Sequence, residues 1–163
     1  MKQSPLPIIT DTGNKAEILH QKTQRIKNID SPEIQKLIAD MFDSLHSIDI
    51  GIGLAAPQIG SSLRLAIIEF DDNRMVMINP KITSFSREKI LFEEGCLSIP
   101  GKYLSVERFE KVTVRYQDEH GKEVKKRASG LLAIAIQHEV DHLDGILIKD
   151  RIKNQKQHKA YSL

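Results

Sequence analysis

With 163 residues, 40% hydrophobic and 28% charged, the chain has the size and composition of one globular domain with a sizeable core. Its net charge of +2 is too small to argue for nucleic acid as a substrate, and no apolar run approaches a membrane span. Met1-Lys2 leads into no apolar signal core, and Cys96 is the sole cysteine. A reducing cytosol is therefore expected, and an intramolecular disulfide is excluded.

Residues 1–30, punctuated by Pro5, Pro7, Gly13 and Asn14, read as an extended arm with turns. Ser31-Pro32-Glu33 then starts a helix. It offers a capping hydroxyl, a proline where no N–H is needed, and an acid near the positive end of the dipole. Ile34, Leu37, Ile38, Met41, Phe42 and Leu45 follow at helical spacing, which predicts an amphipathic helix packed on the core. His46, at its end, reads as a surface residue.

The stretch Gly51-Ile52-Gly53-Leu54-Ala55-Ala56-Pro57-Gln58-Ile59-Gly60 contains G-x-G-x-x-A. A dinucleotide site needs a strand before such glycines and a helix after them. Here a helix precedes, Pro57 interrupts and a strand follows, so that reading is set aside. Small residues in a row instead let the backbone approach something closely. Gln58 is either a side-chain donor in that loop or a surface residue.

Leu63–Phe70 and Met75–Ile78 read as strands joined at Asp71-Asp72-Asn73, with Asn79-Pro80 ending the second. Lys81–Phe92 is extended without a clear pattern. Val112–Tyr116 and Glu123–Arg127 form a predicted antiparallel hairpin around Asp118–Gly121, and Lys122, Lys125, Lys126 and Arg127 read as a solvated face. Leu131, Leu132, Ile134, Ala135 and Ile136 are apolar on nearly every face, which predicts a buried helix. Ser129 is placed to cap it, and Gly145 suits the left-handed position after it. The tail, about 151–163, carries Arg151, Lys153, Lys156 and Lys159 with no acid. It reads as a flexible or helical end, either simply solvated or docking weakly on an acidic or RNA surface.

The buried helix carries His138-Glu139-Val140-Asp141-His142. Residues four apart share a helix face, so two imidazoles can hold one metal ion while Glu139 beside them acts as a base. The competing reading makes both ordinary core histidines. Cys96 follows two carboxylates, Glu93 and Glu94, which would raise a free thiol's pKa and disfavour a nucleophile; a bound dication reverses that. An inert buried cysteine is the plain alternative. Together Cys96, His138 and His142 make a three-ligand set with a fourth position for water, the pattern of a catalytic site.

Three blocks in this order resemble the signature motifs of peptide deformylases: Gly51–Gln58, Glu94-Gly95-Cys96-Leu97-Ser98 and His138-Glu139-Val140-Asp141-His142. The resemblance covers about residues 5–150. It implies a single α+β domain over residues 1–163, with antiparallel β-sheets wrapped around the helix of the third motif. It implies a hydrolase that removes the formyl group from the N-terminal formylmethionine of new proteins and releases formate, in a bacterial cytoplasm or an organelle. It further implies Cys96, His138 and His142 as metal ligands, Glu139 as acid–base, and Gln58 with the Leu97 N–H as oxyanion donors. The expected ion is Fe(II), replaceable by Ni, Co or Zn. The methionine pocket maps onto Ile52, Phe92, Glu94, Leu131, Ile134 and His138, with Ala135 beside it and Gly51, Gly53 and Gly95 also counted as substrate-binding. Arg108 takes a position that pairs with Glu94. The expected partner is a formylmethionyl peptide or nascent chain, with a weak ribosome contact through the tail, no membrane, and a monomeric state. The arm Ile8–Lys22 fits the family pattern loosely and the tail is short. Two rivals stay open: a metallopeptidase with the same pentapeptide, and a non-catalytic metal module.

Overall fold

A computed structural model describes residues 5–161, with side chains through Gln155. The arm is extended as expected, with one 3-10 turn, Ala16–His20, that buries Leu19. Helix α1 spans Pro32–His46. The Ser31 hydroxyl accepts from the Ile34 N–H at 3.4 Å, and Pro32 sits in the first turn. Ile34, Ile38, Met41, Phe42 and Leu45 are buried. His46 is exposed and paired with Glu69 on the neighbouring strand.

Strands β1 (Gly53–Ala55), β2 (Leu65–Phe70), β3 (Asn73–Phe85), β6 (Lys111–Gln117) and β7 (Glu123–Ser129) form an antiparallel sheet in the order β1-β2-β3-β6-β7. Strands β4 (Lys89–Cys96) and β5 (Ile99–Phe109) form a separate hairpin. Helices α2 (Gly130–Leu143) and α3 (Ile148–Tyr161) complete the chain.

Asn79-Pro80 does not end a strand: β3 runs on to Phe85, with its register to β6 shifting between Ile78 and Lys81. Proline cannot give a ladder bond and is tolerated where a bulge removes the need. Asn79 adopts φ 53° there. Its side-chain oxygen accepts from Ile26 N at 2.8 Å while its amide donates to Ile26 O at 2.9 Å. The side chain thus supplies the pairing that the bulged backbone lost, and ties the N-terminal arm to the sheet.

Helix α2 packs against β1, β2, β3, β5, β6 and β7, so the strands surround it. Ala133, Ile136, Val140 and Leu143 meet Ala66, Ile68, Met77 and Val114 on one sheet face, while Ile67, Leu65, Val76 and Ile78 meet α1 on the other. Burying one such aliphatic side chain is worth roughly 1.5–3 kcal/mol. Ser129 occupies the N-cap position but makes no side-chain capping bond, contrary to expectation; its backbone is still the last rung of β7 opposite Lys111. Gly145 has φ 74°, and a Cβ there would lie 2.7 Å from the His20 carbonyl, so only glycine lets the chain turn against the arm. Of the two readings of the tail, helix holds through Tyr161; the side chains of Lys156 and Lys159 lie outside the described residues. Among the described residues no helix is long and apolar enough to cross a membrane.

Candidate metal centre and cleft

The three predicted ligands arrive from two elements. Cys96 ends β4, whereas His138 and His142 sit one turn apart on α2. Cys96 Sγ lies 3.3 Å from His142 Nε2, which lies 3.2 Å from His138 Nε2. The three donor atoms fall within 4.8 Å of one another. Ligands of one tetrahedral ion with 2.0–2.3 Å bonds stand about 3.4–3.6 Å apart, so the set fits a single cation. No fourth protein ligand joins them among the described residues, which leaves room for a small molecule.

The two histidines are held differently. His138 Nδ1 is 2.7 Å from Glu94 Oε1, which orients the ring so that Nε2 faces the other donor atoms. Burial opposes charge on His138, but the hydrogen bonds to Cys96 and Glu94, with the Glu139 carboxylate, raise its pKa well above the ordinary value. Burial, with the nearby charges of His138 and Arg108, holds His142 well below the ordinary value, so its ring stays neutral. A neutral imidazole is the ligating form, so His142 is ready as it stands, whereas a bound cation would displace the proton of His138.

Behind Glu94 runs a buried ionic chain. Arg108 donates to Glu94 through Nε at 2.6 Å and Nη2 at 2.9 Å, and to Asp141 through Nη1 at 2.6 Å. Arg151 of α3 then pairs with Asp141. Burial alone would raise Glu94, but hydrogen bonds from His138 and Arg108 keep its pKa below the usual range. The expected Glu94–Arg108 pair is present. Local sequence marks neither Asp141 nor Arg151 for the site: Asp141 is an unspecified position of the pentapeptide and Arg151 stands in the basic tail.

Glu139 is 4% exposed, and its Oε2 has no hydrogen-bond partner among the described residues. Burial pushes its pKa up to about 7. Gln58 is also buried, not a surface residue, and reaches within 4.0 Å of Cys96 Sγ. Leu97, next to the cysteine, occupies the β4–β5 turn.

These groups line one cleft of about 400 Å³. Its walls include every position assigned to substrate from the sequence: Gly51, Ile52, Gly53, Phe92, Glu94, Gly95, Leu131, Ile134 and Ala135. They also include Ile99, Pro100, Gly101, Lys102 and Tyr103 of β5. Pro100-Gly101 gives that strand an irregular start, and Gly101 takes φ 75° there. Of the other histidines, His46 is engaged elsewhere and His20 and His120 do not line the cleft; the side chain of His158 is outside the described residues.

The profile of the polypeptide deformylase family matches residues 6–158. A peptide deformylase from a Picosynechococcus strain is 46% identical over 144 residues, covering 85% of this chain and 76% of the relative. A peptide deformylase from Synechococcus elongatus, solved in complex with actinonin, superposes with TM-score 0.85 at 43% identity, over 93% of this chain and 80% of that one. The Acinetobacter baumannii enzyme with Met-Ala-Ser bound gives TM-score 0.85 at 34% identity, over 91% of this chain and 99% of the other.

Proposed function

The chain belongs to the peptide deformylase family, and from that membership we infer that it hydrolyses the formyl amide of N-terminal formylmethionine in this cleft, releasing formate. One observation carries the assignment of the site: the donor atoms of Cys96, His138 and His142 converge, and Glu139, whose Oε2 has no hydrogen-bond partner among the described residues, lines the same cleft as Cys96 and His138.

We propose Cys96, His138 and His142 as the holders of one divalent ion, Fe(II) in the cell, with Ni, Co or Zn able to replace it. Such an ion supplies Lewis acidity, acidifying a water and polarising a carbonyl oxygen. Glu139 accepts the proton of the attacking water and passes it to the departing amine; a carboxylate tuned to about 7 suits both transfers. Gln58 and the Leu97 N–H donate to the oxyanion that forms at the formyl oxygen. Ile52, Phe92, Leu131, Ile134 and Ala135 present an apolar wall to the methionine side chain, whose flexible thioether fills such a space. Gly51, Gly53 and Gly95 complete the substrate wall, the space beside them being taken by Leu45, Glu139 and Tyr103.

The substrate is a formylmethionyl peptide or nascent chain, which the Met-Ala-Ser complex of the Acinetobacter baumannii relative supports. The working unit is one domain acting as a monomer in a cytoplasm or an organelle. A weak ribosome contact is assigned to the basic tail, where Lys153 is exposed while Arg151 is partly engaged by Asp141. The test is formate release from formyl-Met-Ala-Ser by wild-type protein and by Glu139→Gln. The variant should keep its metal and lose ~10²–10⁴-fold in rate, the range of a general base. Equal rates would remove Glu139 from the chemistry.

A further inference from the structure

We propose that Ser98 is a positioning residue that sets the orientation of the Gln58 amide, so that one amide hydrogen is reserved for the substrate oxyanion. The inference rests on the reading of Gln58 as an oxyanion donor and adds the residue that makes it one.

The Gln58 side chain is 1% exposed, so each of its polar atoms needs a partner. Its Oε1 accepts from the Ala55 backbone N–H at 2.9 Å. A backbone N–H can only donate, so the atom facing it must be the oxygen, and the NH₂ group lies on the other side. Nε2 carries two hydrogens. One meets Ser98 Oγ at 3.2 Å. The other faces the Cys96 side of the cleft that Gln58 lines, where Sγ at 4.0 Å is a long, weak acceptor that a substrate oxygen can replace.

Ser98 is fully buried and held independently of that bond. Its carbonyl accepts from Asp11 N at 2.9 Å, and the Gln58 carbonyl accepts from Ile9 N at 2.8 Å. One short step of the N-terminal arm therefore staples both motif segments and fixes their separation. Cys96 Sγ is the other acceptor near Nε2, at 4.0 Å. Without the serine oxygen, the sulfur would be the one acceptor left to Nε2 among the described residues, and the amide would swing onto it and away from the formyl oxygen.

The test is a double-mutant cycle of Ser98→Ala and Gln58→Ala on formyl-Met-Ala-Ser, with metal content measured for each protein. Ser98→Ala should lower kcat roughly tenfold, with KM within a few-fold and metal content unchanged, as for a hydrogen bond that orients without itself touching substrate. In the Gln58→Ala background it should cause no further loss, because the two act as one unit. In the Zn-loaded wild type, one Gln58 amide proton should be protected from exchange and the other not; in Ser98→Ala that difference should vanish. Independent, multiplying losses in the double variant, an unchanged kcat in Ser98→Ala, or two equally exchanging protons in the wild type would overturn the proposal. If Gln58→Ala alone leaves kcat unchanged, the donor role itself fails, and the single variant reveals that without reference to Ser98.

Discussion

Gly53 and Glu139 meet with no space for a side chain between them: a Cβ on Gly53 would stand 2.6 Å from Glu139 Oε1. Strand β1 pairs with β2 through Gly53 opposite Ile68, so the backbone at this point cannot retreat without breaking the ladder. The carboxylate would have to move instead. Gly53→Ala is expected to fold and hold metal yet lose ~10²-fold in kcat, the cost of misplacing a reacting group by about 1 Å. Steady-state kinetics with metal analysis checks this, and a wild-type rate would show that Glu139 tolerates displacement.

The ligand set and its support should separate by degree. Cys96→Ala and His142→Ala each remove a donor from a three-residue set and should abolish stoichiometric binding of Co(II) or Zn(II). Glu94→Gln leaves all three donors but weakens the hold on His138 Nδ1, now at 2.7 Å from the carboxylate. Its metal affinity should fall by about 10–100-fold, the usual effect of losing such a partner. Competition with a chelator measures both. Equal retention in Cys96→Ala and wild type would remove the cysteine from the ligand set.

The sequence made the chemistry more legible than the framework. Helical spacing alone put His138 and His142 on one face, and a lone cysteine beside acids pointed to a cation. Residue pattern alone leaves Gln58 between a donor and a surface residue, and only the family resemblance makes it a donor, since its burial depends on a cysteine-bearing hairpin and an arm distant in the chain. Strand β5 was hidden by Pro100-Gly101, and with it Tyr103 and Lys102 of the cleft wall. The continuation of β3 through Pro80 was hidden because its compensation comes from Asn79 bonding to Ile26, far away in sequence. Local pattern reports local periodicity; bulge repair and ionic chains such as Arg108–Asp141–Arg151 are tertiary and leave no periodic trace.

Arg108 decides the stability of the site more than its chemistry. It is 3% exposed and stands between two buried acids, Glu94 and Asp141, both within 2.6 Å of its nitrogens. Exchanging it for a hydrophobic group of similar length, Arg108→Met, strips Glu94 of its two guanidinium hydrogen bonds and leaves it only His138, while Asp141 retains Arg151. Breaking a buried pair from one side typically costs about 3–5 kcal/mol, because the remaining charge stays desolvated. For a domain of this size each kcal/mol lowers the midpoint by ~2–4 °C, so a drop of roughly 6–20 °C is expected. Arg151→Met removes a partner from Asp141 only, and its side chain is already 41% exposed; its loss should be well under half as large, since solvent screens what it contributes. Thermal melts of the two variants beside the wild type test the ranking. If Arg151→Met proved as damaging as Arg108→Met, the stabilising hub would lie at Asp141 and α3, not at the arginine beneath Glu94.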